Sequence, residues 1–555
     1  MRTVHLDRRM LLLGGVALSA LAACGREASS EGAASSDPTL VSTTLGQLRG
    51  ISVDGVMEFR GVRYAQPPVG ALRFQAPKKP EAWQGEFSAA NYGEAAVQMR
   101  AGAGAAAYPP LVQAAMSQAF APPDNIKAEG DEDCLVLNVY TQKPGPEAGA
   151  TRPVMVWLHG GGFSYGQAAN NVYRGHNLAK KHDVVFVGIN HRLNVFGFLG
   201  LDSAGIMDFE GSANAGMLDL VMALEWVRDN IAQFGGDPNN VTIFGQSGGG
   251  AKVSTLLAMP AANGLFHKAI IQSGAGLRSG DKRAAADTAL ELLTKLGVES
   301  PVTPEKLGAI PVETVLAAAR EVGTARFRPS IDDTNIPRHP FEPDAPEQSS
   351  GVPVMIGFTK DEQTLYNVGN PEWVNTTEAD AVAAAERVAK GKGKAILDAF
   401  KATYPDYAPH HLLMQVTGTV RSLSSHHTLA ARKAAQPAGV YAYVFAHDLP
   451  PQDFILKSPH TAEIPYIMDN VSEAPLFAGA TPADFAMGDL MSATWVQFAT
   501  TGDPNGAAGL PAWPRFDPAT RPTMFFQKES MVVEKPFEEV WQIIQANAGG
   551  GSSPA

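Results

Sequence analysis

Cysteine is almost absent from this chain, which carries only Cys24 and Cys134 in 555 residues. This scarcity excludes a framework of several disulfides and a zinc site built on a cysteine cluster. No His-Glu-x-x-His motif is present either, so we expect no metal ion and no cofactor. Basic residues are also outnumbered by acidic ones, because the chain has 44 Lys and Arg and 56 Asp and Glu. We therefore expect no nucleic-acid partner.

The apolar stretch near the amino terminus is too short to cross a membrane. It runs only from Met10 to Ala23, whereas a spanning helix needs about 20 apolar residues. The preceding pair Arg8-Arg9 is typical of a signal peptide on the twin-arginine export route. The stretch ends in Leu21-Ala22-Ala23-Cys24, which resembles a bacterial lipobox. We expect residues 1–23 to be a lipoprotein signal peptide; an ordinary signal cut after Ala22 is the alternative.

This assignment has consequences for the rest of the chain. Lipidated Cys24 would anchor the protein in the cell envelope or periplasm, and Cys134 would then have no disulfide partner. Residues 24–40 are rich in Ser, Ala and Glu, which favours a flexible tether, and residues 547–555 are expected to be a disordered tail. The interval 41–546 is interpreted as a single catalytic domain, a monomer or a dimer, whose only membrane contact is the lipid anchor.

Apolar strands alternate with helical segments through the middle of the chain. Such continuous apolar strands indicate a parallel sheet covered on both faces. Turn residues between 41 and 64 predict antiparallel strands at the start, and the Ala-rich segments 281–322 and 372–435 predict a helical cap or outer layer. The predicted strands are 134–140, 153–158, 184–189, 241–244, 269–272, 352–357 and 441–446.

The stretch Val241 to Gly250 carries the first chemical signal. Gly245-Gln246-Ser247-Gly248-Gly249 fits the G-x-S-x-G pattern, in which a serine occupies a tight turn between a strand and a helix. The neighbours are small because the backbone there is strained and closely packed. This predicts Ser247 as a nucleophile.

A glycine loop follows the strand 153–158. His159-Gly160-Gly161-Gly162 exposes backbone N–H groups that no side chain covers, as in oxyanion loops of the HGGG type. We expect the N–H groups of Gly161, Gly162 and Gly248 to stabilise the oxyanion of a tetrahedral intermediate. His159 itself is predicted to be structural.

A serine hydroxyl needs a base and an orienting carboxylate. His460, in a loop near the carboxyl terminus, fits as the base, with His447 as its rival. The acid should lie between Ser247 and His460, after a strand. From the residues alone Asp361 and Glu362 are both candidates, and the pair 332–333 has less support.

Together these residues resemble the type-B carboxylesterase and cholinesterase-like family of α/β-hydrolases. The resemblance runs from about Thr43 to Pro514 and implies the α/β-hydrolase fold, with a large mixed, mostly parallel central sheet flanked by helices. It also implies that Glu362 is the acid and that Ser273 supports the triad by hydrogen bonding. Further stretches that carry it are 59–68, 132–140, 190–200, 224–250 and 272–274.

The chain departs from this family at the tight turn Gly245–Gly249 around Ser247, which is called the elbow below. Gln246 stands where the family usually has Glu, and Gly248 where it usually has Ala, which suggests a less charged and roomier site. Residues 96–133 contain no Trp of the kind that binds a quaternary ammonium in cholinesterases. We therefore expect a serine carboxylic-ester hydrolase for neutral, fairly apolar small-molecule esters. Amides, carbamates and thioesters are alternative substrates, and a non-catalytic binding protein is the alternative class.

Overall fold

A sheet of 11 strands dominates the computed structural model, and a second sheet has 3 strands. The structure describes residues 37–98, 108–127, 129–145, 152–450 and 455–548, and the statements below refer to these. The described residues from Pro38 onward group into one compact unit. The strands are β1 (Leu40–Thr43), β2 (Gly46–Arg49), β3 (Ile51–Val53), β4 (Val56–Arg63), β5 (Glu86–Ser88), β6 (Val136–Thr141), β7 (Arg152–Leu158), β8 (Val185–Ile189), β9 (Gly236–Gln246), β10 (Lys268–Gln272), β11 (Val354–Thr359), β12 (Val440–Phe445), β13 (Thr523–Phe526) and β14 (Met531–Val533).

The large sheet is mixed but mostly parallel. Its strand order is β14-β13-β12-β11-β10-β9-β7-β8-β6-β4-β3. Every neighbouring pair from β13 to β8 is parallel, whereas β14 and the other edge, β6, β4 and β3, pair antiparallel. The smaller sheet joins β1, β2 and β5. The expected N-terminal antiparallel strands are therefore present, divided between two sheets.

Both faces of the parallel strands are buried. Along β7, Val154 and Val156 belong to one apolar cluster, while Met155 and Trp157 belong to another on the opposite face. Successive side chains on a strand point to opposite faces, so a strand covered on both sides is apolar throughout. This confirms the expected architecture of a parallel sheet between helical layers.

The helices cover the sheet and form the outer segments. The regions 281–322 and 372–435 are mainly helical, as expected. A π-helix at Gln415–Thr419 precedes α13. The α-helices are α1 (Pro110–Ala119), α2 (His176–His182), α3 (Asn194–Gly197), α4 (Ala215–Asn230), α5 (Gly248–Leu256), α6 (Lys282–Lys295), α7 (Pro304–Gly308), α8 (Val312–Val322), α9 (Thr364–Asn367), α10 (Glu378–Val388), α11 (Gly393–Thr403), α12 (Pro409–Met414), α13 (Val420–Ala434), α14 (Ile464–Ile467), α15 (Pro475–Ala478), α16 (Pro482–Thr501) and α17 (Glu538–Ala548).

Most strand boundaries differ from the sequence expectation by one or two residues, and two other differences have a structural explanation or consequence. The strand before Ser247 begins at Gly236 rather than 241, because Gly235 adopts a left-handed conformation (φ +81°) that ends the preceding helical turn. Helix α17 runs to Ala548, so the first two residues of the expected tail are helical. Residues 1–36, with the expected signal peptide and Cys24, lie outside the described residues. No described helix is long and apolar enough to be a membrane span.

Candidate active site

Ser247 lies on a strained turn at the end of β9. Its backbone has φ +60° and ψ −123°, a conformation that non-glycine residues rarely adopt. The following helix α5 begins at once and packs on the end of β7: a Cβ added to Gly249 would lie 2.0 Å from the Leu158 carbonyl oxygen. The glycine at this position therefore makes the sharp turn sterically possible.

The glycine loop after β7 contacts the start of α5. Gly161 and Gly162 have positive φ values of +89° and +65°, which glycine adopts without strain. A Cβ added to Gly248 would lie 2.6 Å from the Gly162 nitrogen. The structure thus brings the backbones of the three expected oxyanion donors together beside Ser247. The expectation of a roomier elbow is wrong, because the backbone of Gly162 fills the space that a methyl group on Gly248 would need.

His460 and Glu362 form a buried hydrogen-bonded pair. His460 Nδ1 donates to Glu362 Oε2 in a short contact, and Glu362 Oε1 accepts from the Thr359 amide at 3.0 Å. Burial opposes charge on both groups, but their mutual attraction outweighs it. The pKa of Glu362 is lowered and the pKa of His460 is raised. The pair is therefore arranged so that His460 can take up a proton.

Backbone pairing decides which carboxylate faces His460. Asp361 and Pro459 form a parallel bridge, which places the loop after β11 beside the histidine loop. The Asp361 side chain points elsewhere and accepts from Gln415 Nε2 at 2.6 Å and from the Tyr407 hydroxyl at 3.0 Å. The structure therefore brings Glu362, and not Asp361, to His460.

The other candidate acids, the rival His447 and two further histidines lie in different surroundings. The first acid of the pair 332–333 accepts hydrogen bonds from the amides of its own turn, and the second pairs with Lys282. His447 Nε2 bonds Asp484 at 2.8 Å. His426 and His427 are buried in α13.

Gln246 and Ser273 both lie near the pair. Gln246 is buried, and its Nε2 is 3.2 Å from His460 Nε2, so a neutral amide contacts the imidazole directly. Ser273 Oγ is buried and makes no well-formed hydrogen bond to the described residues. Its hydroxyl is nevertheless close enough to Glu362 to help lower the pKa of that carboxyl. The structure therefore places Ser273 beside the Glu362 carboxyl, and its support of the triad by hydrogen bonding stays a prediction.

Tyr366 is a site residue that the sequence patterns did not indicate. Its ring centroid is 5.3 Å from that of His460, and its hydroxyl lies close to Ser247. Tyr165 and Tyr108 are further neighbours of Tyr366. Tyr165 and Tyr366 are 53% and 56% exposed, so two aromatic rings face solvent at the nucleophile. Tyr366 follows Glu362 by four residues, which is the spacing of one helical turn, and this spacing could have indicated it.

Glu463 adds a buried carboxyl that the sequence patterns also missed. Its Oε1 accepts a long hydrogen bond from Gln272 Nε2 at 3.5 Å, and its Oε2 has no partner among the described atoms. Burial, followed by the nearby charge of Glu362, raises the pKa of Glu463 to about 7. This carboxyl is thus partly protonated at neutral pH.

No hydrogen bond joins Ser247 to His460 in the part of the chain described, and such contacts are often loose in the absence of substrate. A hydroxyl on a strained elbow, a buried His–Glu pair and a glycine loop converge at the carboxyl ends of β7, β9 and β11. This is where ligands bind to parallel α/β sheets. The sheet and this chain order of serine, acid and histidine define an α/β-hydrolase.

Comparison with known proteins identifies the family. The sequence profile of the carboxylesterase family matches residues 37–543. Para-nitrobenzyl esterase of Bacillus subtilis (strain 168) is 33% identical over 521 residues, which cover 92% of this chain and 99% of that protein. Phenmedipham hydrolase of Pseudarthrobacter oxydans is 33% identical over 495 residues, covering 86% and 93%. The crystal structure of a Geobacillus stearothermophilus carboxylesterase superposes with a TM-score of 0.76 at 35% identity, over 91% of this chain and 100% of that one.

The chain belongs to the carboxylesterase family. It is a carboxylic-ester hydrolase with the α/β-hydrolase fold.

Proposed function

We propose that Ser247, His460 and Glu362 carry out ester hydrolysis through an acyl-enzyme. Ser247 Oγ attacks the ester carbonyl while His460 accepts its proton, and Glu362 orients the imidazole and stabilises the imidazolium. His460 then returns the proton to the leaving alcohol, and water repeats the sequence on the acyl-enzyme. The observation that carries this proposal is the buried His460–Glu362 pair next to the strained Ser247.

The oxyanion of each tetrahedral intermediate would bind the N–H groups of Gly161, Gly162 and Gly248. The contact of Gly162 with Gly248 supports this role, because it places donors from two separate elements at one point. Removal of one such donor costs about 10²–10³ in rate in comparable sites.

Replacement of the nucleophile tests the assignment. Ser247→Ala should abolish turnover of a short-chain 4-nitrophenyl ester and covalent labelling by an organophosphate, while the circular dichroism spectrum and melting temperature stay unchanged. Ser425→Ala in α13 is the matched control and should keep both activities. Retained turnover by Ser247→Ala would refute the assignment.

We further propose that the substrates are neutral, fairly apolar esters. Tyr366 lies beside His460 and has Tyr165 and Tyr108 as neighbours, and Gln246 contributes no charge beside His460. Esters of matched size with neutral and quaternary-ammonium alcohols test this. A kcat/KM that favours the cationic ester would contradict it.

A carbamate is the second candidate substrate. The relative named phenmedipham hydrolase, 33% identical to this chain, favours this alternative over amides and thioesters. The same elbow and glycine loop suit any acyl transfer. A panel of aryl esters and aryl carbamates with the same leaving group compares the two classes directly, and turnover of esters alone would exclude the carbamate.

We also propose that the protein is exported and anchored by a lipid on Cys24, with residues 24–40 as the tether. The first described strand, β1, begins at Leu40, the last residue of the expected tether. Labelled palmitate should enter the wild-type protein but not Cys24→Ala, which should leave the membrane fraction. Sedimentation analysis of the released domain would decide between a monomer and a dimer.

A further inference from the structure

Lys252 is a fully buried lysine on the helix that follows the nucleophile. It lies in α5, and its relative exposure is 0%. Its Nζ donates a hydrogen bond of 2.8 Å to the carbonyl oxygen of His159, the residue that opens the glycine loop. Burying a charged group is costly unless it serves a purpose that offsets the cost. Neither ester hydrolysis nor the packing of an apolar helix explains a lysine at this place.

Among the described residues, the surroundings of Lys252 contain aromatic rings rather than a compensating carboxylate. Its Nζ is 5.5 Å from the centroid of the Phe163 ring. The His159 ring stacks on the His191 ring at 5.0 Å, and His159 Nδ1 bonds the Gly160 carbonyl at 2.9 Å. A hydrogen bond in such an apolar enclosure is strong, because water does not compete for it.

The position of this hydrogen bond links two parts of the expected oxyanion hole. His159 leads directly into Gly161 and Gly162, whereas Lys252 belongs to the helix that begins with Gly248. The side chain therefore ties the glycine loop to the helix that carries the third donor. The loop has no regular structure of its own to hold its N–H groups in place.

We propose that Lys252 is a positioning residue for the glycine loop: by holding the His159 carbonyl it fixes the Gly161 and Gly162 N–H groups on the oxyanion of the tetrahedral intermediate. The proposal rests on the proposed function of these donors. A positive charge at this place also favours the negative charge that develops in the transition state.

The ionisation of Lys252 gives the proposal a pH signature. Burial lowers the pKa of Lys252 to about 7. His159 and His191 face it, and their pKa values are held well below the usual range by burial and then by Lys252, so both rings are neutral. Arg192, next to His191, is paired with Asp219. The charge on Lys252 is therefore the one that is lost near neutrality as the pH rises.

Lys252→Met tests the proposal, because methionine fills a similar volume without a donor or a charge. We expect kcat to fall by about 10- to 100-fold, the effect of a misplaced catalytic group, while KM changes little. The Ki of a trifluoromethyl ketone, which forms a tetrahedral adduct with the nucleophile, should rise by the same factor. The Ki of the matching methyl ketone should stay the same. Any decline of kcat on the alkaline side that the wild type shows should be absent in the variant.

Lys433→Met is the matched control, because Lys433 is also fully buried and its Nζ also donates to a carbonyl oxygen, that of Ser349. It should lower the melting temperature but leave kcat and both inhibition constants at wild-type values. Lys252→Gln, which keeps an N–H donor without the charge, replaces Lys252→Met if that variant does not fold, and should show an intermediate loss.

The outcomes separate this proposal from the proposed function. Wild-type kcat and wild-type affinity for the trifluoromethyl ketone in the folded Lys252 variants would overturn the role of Lys252 alone. Turnover by Ser247→Ala would overturn the nucleophile assignment whatever Lys252 does. A lower melting temperature with unchanged kinetics would show that Lys252 is structural only.

Discussion

Gly248→Ala is the sharpest test of the elbow geometry, because alanine is the residue that the family usually has there. A Cβ on Gly248 would lie 2.6 Å from N, 2.7 Å from Cα and 2.8 Å from C of Gly162. Non-bonded carbon atoms pack at about 3.5 Å, so the Cα of Gly162 must move by roughly 0.8 Å. The obstructing atoms are main chain, and no rotamer change can relieve the contact.

This displacement acts on an expected oxyanion donor. A shift of about 1 Å in a catalytic group can cost about 10²-fold in rate, or about 2.7 kcal/mol of transition-state stabilisation. We expect kcat of Gly248→Ala on a 4-nitrophenyl ester to fall by about 10- to 100-fold with KM little changed. Stopped-flow measurement of acylation would place the loss in the chemical step.

Gly351→Ala is the control for the substitution itself. A Cβ at Gly351 meets no atom within 4 Å, so this variant should keep full activity. Both variants should fold, as judged by their melting temperatures. Wild-type kcat in Gly248→Ala would refute the claim that Gly162 occupies this space, and with it the tight packing of the glycine loop on α5.

Three further substitutions test the charges around the site. Glu362→Gln should lower kcat by about 10⁴-fold. Burial favours neutral His460, but Glu362 raises the pKa of His460 by more, so activity is lost as the pH falls through that raised value. Glu362→Gln should therefore move the acid limb of the pH–rate profile to lower pH. An unmoved acid limb would contradict the pairing. Gln246→Glu should raise the kcat/KM of a choline ester relative to a neutral ester, and an unchanged preference would count against a role of Gln246 in selectivity. Arg192→Met should cost about 3–5 kcal/mol in denaturant unfolding, because it leaves the buried carboxylate of Asp219 unpaired, and a loss below about 1 kcal/mol would show that the pair is not essential.

Local patterns sufficed for the fold and for the elbow. The strand segment 154–158 is apolar at every position and the segment 241–246 at most of them, because both sheet faces are buried, so both are visible as short apolar runs. Ser247 is visible because its turn excludes side chains on its neighbours. These features depend on residues adjacent in sequence, which is why the sequence alone indicates them.

The choice between Asp361 and Glu362 needed more than local pattern. Both follow β11, and composition does not separate them. The family resemblance favoured Glu362, and the structure supplies the physical reason: the bridge of Asp361 to Pro459 turns successive side chains to opposite sides. Only the second of the two can reach His460.

Long-range contacts were out of reach of the sequence. Lys252 and His159 are 93 residues apart, and nothing in the helical pattern of α5 distinguishes Lys252 from a solvent-exposed lysine. The contact of Gly248 with Gly162 likewise depends on how the glycine loop packs after the sheet has formed. For this reason the sequence suggested a roomy elbow where the structure has a filled one.

The charged groups of the site lie where charge of the opposite sign develops during acyl transfer. The Glu362 carboxylate bonds His460, where we propose that the imidazolium forms, and Lys252, which is charged below about pH 7, bonds the glycine loop, where we propose that the oxyanion forms. Gln246 lies between the two and adds no charge. A neutral ester is stabilised by these charges only when charge separates in its transition state. Such selective stabilisation raises kcat rather than tightening substrate binding. A cationic ester would gain from a further negative charge near the site, and Glu463, whose pKa burial raises to about 7, supplies that charge only above neutral pH. Any activity on cationic esters should therefore increase as the pH rises above 7, relative to activity on neutral esters measured at the same pH.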